Sequence, residues 1–219
     1  MIITIDGPVA SGKTSVARAV SQKLGYTYLA SGMLYRAVAY ILVDRYRYDH
    51  VQLNEPCSQD INEIVDRLRY ENELDGPHVH YGNEDVTLYL KTPTVDKSAS
   101  LLATTCYIHE VLAVFQRTIA AGKNVVIESR DAGTVVFPEA ECKVFLTASS
   151  EERARRWQND QAQRGTVVSL EQACMLIGER DTRDMTRAVR PLLVPLDAHV
   201  VDSTRLSFDE VVRIITSFC

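Results

Sequence analysis

Basic residues are in short supply in this 219-residue chain. Lys and Arg together number 24 against 29 Asp and Glu, a formal net charge of −5 at pH 7. A general nucleic-acid binder needs a cationic surplus to displace counterions, so nucleic acid is not expected as a partner. No apolar run is long enough to span a bilayer, so no membrane partner is expected either. The chain opens directly into the strand-like run Ile2-Ile3-Thr4-Ile5, with no basic segment leading into an apolar one. That predicts no signal peptide and a cytoplasmic protein, and a monomer is expected. The five cysteines, Cys57, Cys106, Cys142, Cys174 and Cys219, are scattered and form no C-x-x-C pair. Neither a disulfide framework nor a zinc site is expected, and they read as small buried apolar residues in a reducing compartment. Repeats and low-complexity tracts are missing as well.

The chain does have strand and helix signals in alternation. Ile2 to Ile5 reads as a short buried strand. Lys13 to Leu24 carries Val16, Ala19, Val20 and Leu24 at helical spacing, and Gly25 is placed to stop that helix. A second strand is expected over Tyr26 to Leu29. A helix follows with Ser31 as its N-cap and Leu34, Val38, Ile41 and Leu42 on one face. Strand then helix, twice over, predicts βαβ units and a parallel sheet. The middle breaks the rhythm. A short helix over Ile61 to Arg69 precedes alternating segments flanked by Gly76-Pro77 and Gly82-Asn83, the marks of a small antiparallel insertion. Thr92-Pro93 starts a helix expected to run to about Ala121. Strands are expected again at Val125 to Ile127, Val144 to Leu146 and His199 to Val201. Helices are expected at Ser150 to Gln163, Leu170 to Arg187 and Ser207 to Phe218.

Gly7-Pro8-Val9-Ala10-Ser11-Gly12-Lys13-Thr14 matches G-x-x-x-x-G-K-[ST] at every fixed position, with a buried strand before it and an amphipathic helix after it. Glycines at the fixed sites let backbone N–H groups turn inward onto phosphate oxygens, and the helix N-terminus aims its dipole at the same place. The Lys13 ammonium is expected on the β and γ phosphates of ATP and the Thr14 hydroxyl on Mg²⁺. Such a loop announces a nucleoside triphosphate without choosing a reaction.

Further basic clusters narrow the choice. Ser31 to Arg36 and Glu128-Ser129-Arg130-Asp131 each follow a predicted strand, and strand C-terminal ends are where open α/β sheets bind ligands. Arg180, Asp184 and Arg187 share a helical face, which taken alone reads better as a solvated, ion-paired surface. Ser149 with Glu152 forms a capping-box signature, and Arg153 and Arg156 behind it share a face. Two such arginines can clamp a transferring phosphoryl group or simply decorate an exposed helix. No nucleophile dyad accompanies them.

The stretch Arg130-Asp131-Ala132-Gly133-Thr134-Val135-Val136-Phe137-Pro138, with Glu179-Arg180-Asp181-x-Arg183-Asp184-x-x-Arg187, resembles the bacterial cytidylate kinases, within the nucleoside monophosphate kinases. The likeness covers nearly the whole chain. It implies an α/β, three-layer P-loop fold with a parallel five-stranded core. It further implies one domain over residues 1–219, with a substrate lobe at about 31–100 and a short helical lid at about 149–165 inserted in the core. It implies phosphorylation of CMP or dCMP by ATP with Mg²⁺, with small-molecule nucleotides as partners. Arg36, Arg130 and Arg187 would hold the acceptor phosphate with Ser31 beside it. Asp184, with Arg180 near, would contact the ribose, and Ser100, Asp131 and His109 would face the base. Arg153 and Arg156 would belong to the lid, and Glu128 would stand near Mg²⁺.

The sequence departs from the family's pattern at Ala30 (usually Asp), Glu128-Ser129 (usually Asp-Gly), Trp157 (usually Arg) and His109, where the family has an arginine. A neutral His offers one donor against the planar fork of Arg. A kinase for another acceptor such as UMP, or a nucleotide-binding relative with little turnover, therefore stays open. Ser100 and His109 lie about 180° apart on a straight helix, so they share a pocket only if that helix breaks near Thr104-Thr105-Cys106.

Overall fold

The computed structural model describes residues 1–73, 76–163 and 165–219. Leu74 and Asp75, in the expected lobe, and Arg164, in the expected lid, lie outside the described residues. The chain divides into two compact units, residues 1–26 with 124–219, and residues 27–123.

The first unit contains the strands β1 (Ile2–Asp6), β6 (Val125–Ser129), β7 (Cys142–Thr147) and β8 (His199–Asp202). Its helices are α1 (Lys13–Leu24), α6 (Ser150–Gln163), α7 (Leu170–Thr186) and α8 (Phe208–Thr216). With β2 (Thr27–Ala30), which opens the second unit, the strands make a five-stranded sheet in the order β2-β6-β1-β7-β8. β1 pairs in parallel with β6 and with β7, and β7 with β8. Ile3, Ile5, Val125, Val126, Ile127, Val144 and Leu146 have no solvent exposure. That follows from a parallel sheet covered on both faces, whose strands read as apolar runs rather than as alternation. Register decides where the chemistry goes. Asp6 stands opposite Ser129 and Phe145, so the loop leaving β1 and the segment leaving β6 begin at the same level. α1 ends as expected, with Gly25 at φ 69°.

The second unit is helical with a small sheet. α2 (Ser31–Asp44) buries Leu34, Ala37, Val38, Ile41 and Leu42. Ser31 was expected as its cap, but β2 runs straight into the helix. Ala30 holds the cap position without a side-chain bond, and Ser31 is the buried first helical residue. α3 (Ser58–Asp66) precedes the antiparallel β3 (Leu68–Glu73), β4 (Gly76–Tyr81) and β5 (Glu84–Asp85), the expected insertion.

The helix expected to run to about Ala121 is two helices, α4 (Pro93–Leu102) and α5 (Cys106–Ala120), bent by 104° at the point where a break is required for Ser100 and His109 to share a pocket. Thr92 caps α4 through a hydrogen bond from the Val95 N–H. The break has a chemical cause. The Thr104 hydroxyl donates to the Leu101 carbonyl (2.7 Å) and the Thr105 hydroxyl to the Leu102 carbonyl (3.0 Å). Two consecutive β-branched hydroxyl residues thus take the carbonyls that the next helical turn would need. Among the described residues no single helix is long and apolar enough to cross a membrane.

Candidate active site

The loop from Gly7 to Thr14 joins β1 to α1 and is folded close against β7. A Cβ on Gly7 would lie 2.0 Å from the Leu146 carbonyl oxygen, so only glycine fits there. Ala10 takes a left-handed φ of 56°, a strained conformation for a residue with a side chain. Lys13 is 5 % exposed, and its ammonium donates to the Pro8 carbonyl (2.6 Å) and the Ser11 hydroxyl (3.4 Å). Burial pushes its pKa well below the usual lysine value, and the charges of Arg130 and Arg180 push the same way, against Glu128 and Asp6. Lys13, Arg130, Arg180, Glu128 and Asp6 therefore occupy one electrostatic neighbourhood.

Glu128 meets Thr14 closely. The Thr14 hydroxyl lies 2.8 and 3.0 Å from the two carboxylate oxygens. A hydroxyl and a carboxylate side by side are hard oxygen donors. They fit Mg²⁺, which takes few protein ligands and keeps much of its water.

The segment after β6 is anchored by a carboxylate that the sequence reading did not name. Asp6, fully buried at the end of β1, accepts from the Ala132 N–H (3.0 Å) and the Gly133 N–H (2.7 Å). Burial raises its pKa from 3.8 to about 6, with Asp131 adding to the rise and the two N–H donors opposing it. The chain then makes a wide turn over 132–136, closed by the Phe137 N–H on the Ala132 carbonyl (2.7 Å). A Cβ on Gly133 would lie 2.8 Å from the Thr4 hydroxyl and 3.2 Å from Asp6 Oδ2, so this turn can sit on Asp6 only with glycine there. The available signal was an aspartate ending an apolar strand directly before the phosphate loop.

Asp131 is held from two sides, by the Ser129 hydroxyl (2.9 Å) and by Arg190 (3.4 Å). Arg130 Nε donates to Asp184 (2.9 Å). Against the upward push of its burial, the charges of Arg130, Arg180 and Arg187 draw the Asp184 carboxyl below the usual range. Arg187 Nε donates to the Arg190 carbonyl (2.7 Å). The Arg180-Asp184-Arg187 face thus engages Arg130 and is not only a solvated surface.

Arg153 and Arg156 differ from their expected exposure. Arg153 is 7 % exposed and donates to Asp181 (2.6 Å), the Val9 carbonyl (3.1 Å) and the Ala148 carbonyl (3.0 Å). Arg156 reaches Glu152, the Ser11 carbonyl and Ser203. Both arginines grip the back of the phosphate loop. Beside them Ala154, Ala173, Ile177 and Val9 form one buried apolar cluster, with Trp157 packed on it. Trp157, which replaces a basic residue of the family pattern, is therefore a packing residue here.

In the second unit, Arg36 on α2 pairs with Asp96 on α4 (2.5 Å). Ser31 is buried at the start of α2. Ser100 lies on α4 and His109 on α5, on the two sides of the bend. His109 is 2 % exposed. Its Nε2 lies 2.9 Å from the Ala103 carbonyl, which can only accept, so Nε2 carries the proton. Nδ1 lies 2.6 Å from the Tyr35 hydroxyl. Both ring nitrogens are engaged by protein, and one of them holds the break between the two helices.

Comparison with known proteins agrees with this geometry. The profile of the family described as cytidylate kinase matches residues 3–219. A cytidylate kinase from Pelotomaculum thermopropionicum is 40% identical over 216 residues, covering 98% of this chain and 94% of its own. One from Rhodopirellula baltica is 40% identical over 212 residues, covering 96% of this chain and 89% of its own. Among solved structures, an uncharacterized protein from Eubacterium ventriosum aligns over 100% of this chain and 97% of its own with a TM-score of 0.53 at 11% identity, a likeness of fold alone. With a phosphate loop at the end of β1, an arginine–aspartate site at the end of β6 and this match over almost its full length, the chain belongs to the cytidylate kinase family.

Proposed function

We propose that this chain transfers the γ-phosphoryl group of ATP to CMP or dCMP, forming ADP and CDP or dCDP. The observation that carries the reading is the gathering of Lys13, Arg130 and Arg180 around the phosphate loop, where burial first, and the neighbouring arginines after it, push the lysine's pKa down. A buried cationic group of this kind is stabilised when polyphosphate arrives, and its charge is worth most where water is excluded. Thr14 and Glu128 would hold Mg²⁺, which supplies charge neutralisation on the transferring phosphate.

The attacking group is an oxygen of the acceptor phosphate, whose second pKa is about 6, so it is already ionised at neutral pH. No general base is needed, and the chain's task is to position and neutralise. Arg36, Arg130 and Arg187 hold the acceptor phosphate in this reading with Ser31 beside it, Asp184 and Arg180 the ribose, and Ser100 and Asp131 the base. Arg36 and Arg130 each hold a carboxylate in its place, Asp96 and Asp184 respectively. The acceptor phosphate must therefore displace Asp96 from Arg36 and share Arg130 with Asp184. Arg153 and Arg156 shape the loop that carries the donor, and residues 149–165 close over ATP as a lid. The lobe at 31–100 carries the acceptor. The protein acts as a cytoplasmic monomer on small-molecule nucleotides.

ADP release from ATP–Mg²⁺ with CMP, dCMP, UMP and AMP supplied in parallel tests this reading. Turnover with CMP and dCMP well above the others supports it. Comparable turnover with UMP would replace it by a broader pyrimidine kinase, the outcome that the engaged His109 ring favours over any other departure. Nucleotide affinity with no ADP from any acceptor would reduce the protein to a binding relative.

A further inference from the structure

Of the five cysteines expected to be buried, only Cys142 is; Cys57, Cys106, Cys174 and Cys219 are exposed. Cys57, Cys106 and Cys174 stand on or beside helices, and no sulfur partner is near them among the described residues. Cys219 is different. Its Sγ lies 2.8 Å from the Sγ of Cys142, the first residue of β7. A disulfide bond is about 2.05 Å long, so the two sulfurs need to move less than about 1 Å to bond. The segment carrying Cys219 is fixed in place. It follows α8, whose last turn takes the Ser217 and Phe218 N–H groups. The Phe218 ring stacks on His199 of β8, centroids 4.0 Å apart and 10° from parallel.

We propose that Cys142 and Cys219 are a disulfide-forming site, oxidised by a small-molecule disulfide into a cross-link that ties α8 to β7. The Cys219 thiolate, at the surface, attacks one sulfur of the oxidant, forms a mixed disulfide and releases the first thiol. Cys142 gives up its proton to solvent and attacks Cys219 Sγ, releasing the second thiol. Two protein thiols and one small disulfide thus become one protein disulfide and two small thiols. Exposure selects Cys219 as the attacking group, since Cys142 is buried and Cys219 is not.

The cross-link spans 77 positions of sequence, a long loop whose closure in the unfolded chain gives a large stabilisation. It also reaches toward the site. β7 ends at Thr147, whose carbonyl accepts from Ser203, and the Ser203 hydroxyl accepts from Arg156. The site is therefore both a stability device and a constraint on the element that leads into α6.

The test is incubation of the whole protein with glutathione disulfide, followed by thiol titration under denaturing conditions, peptide mapping and thermal unfolding. The expected result is loss of two thiols with no net gain in mass beyond the loss of two hydrogens, a peptide joining Cys142 to Cys219, and a rise in Tm of more than about 5 °C that dithiothreitol reverses. Cys219→Ser, at an exposed position, should fold normally and lose both the cross-link and the Tm rise. Stable glutathione adducts on Cys57, Cys106, Cys174 or Cys219, with Cys142 left as a thiol, would overturn the proposal.

Discussion

The two units handle their charges differently. In the first, cations are crowded: Lys13, Arg130 and Arg180 share one neighbourhood, and burial plus mutual repulsion depress the lysine. In the second, Arg36 is already neutralised by Asp96, and the residue standing at the family's arginine position is an imidazole engaged on both sides. The first unit is built to receive charge, and the second exchanges one set of partners for another. Donor binding should therefore be robust and acceptor choice adjustable.

The sharpest way to break this comparison is at Lys13. Lys13→Ala should lower kcat by about 10³-fold or more, because it removes the charge placed on the transferring phosphate. Its Tm should stay near that of the wild type, since a buried repelled cation is removed. Next comes the contrast within α6. Arg153→Ala should destabilise the chain by about 3 to 5 kcal/mol, because it strands the buried Asp181 carboxylate and frees the Val9 carbonyl. Arg155→Ala, which breaks only an exposed pair with Glu151, should cost under about 0.5 kcal/mol. Denaturant titration reads both, and equal costs would mean that the Arg153 network is not what fixes the loop.

How much of this was legible beforehand follows the same division. The phosphate loop, its flanking strand and helix, and the Glu128 to Asp131 segment could be placed from sequence because each is a contiguous string with its own local geometry. Asp6, Asp96, Asp181 and Arg190 could not. They act on residues distant in sequence, and a carboxylate's partner is fixed by register and packing, not by its neighbours in the chain. The bend at Thr104-Thr105 was legible as a requirement but not as an angle, since α4 and α5 together carry a continuous helical pattern. The cysteines were misread because composition speaks of average burial, and these positions lie at helix ends and on exposed faces.

Two smaller effects sharpen the acceptor side. Asp96→Asn should lower the KM for the acceptor several-fold with little change in kcat, because Arg36 loses its competing charge. An unchanged KM would show that the pair plays no part in acceptor binding. Tyr35→Phe should cost about 1 to 2 kcal/mol of stability by leaving buried His109 Nδ1 without its hydroxyl partner. A neutral outcome would mean that the ring is not locked.

Asp6 adds a pH signature. Its folded pKa of about 6 lies above the unfolded value of 3.8, so between these values the folded chain holds a proton that the unfolded chain has released. Its contribution to stability is complete below pH 3.8 and is lost as pH rises through about 6, amounting to about 3 kcal/mol between the limits. Other carboxylates titrate in the opposite sense, so the comparison is with Asp6→Asn. The stability difference, wild type minus variant, should fall as pH rises from 4 to 7. Parallel curves would contradict the assignment.

The most direct measurement of the central claim is ³¹P NMR of the wild-type protein with ATP–Mg²⁺ and CMP. The account predicts that the β-phosphate of CDP appears in step with ADP and that no inorganic phosphate accumulates. ADP accompanied by inorganic phosphate, or an unchanged ATP spectrum, would contradict it.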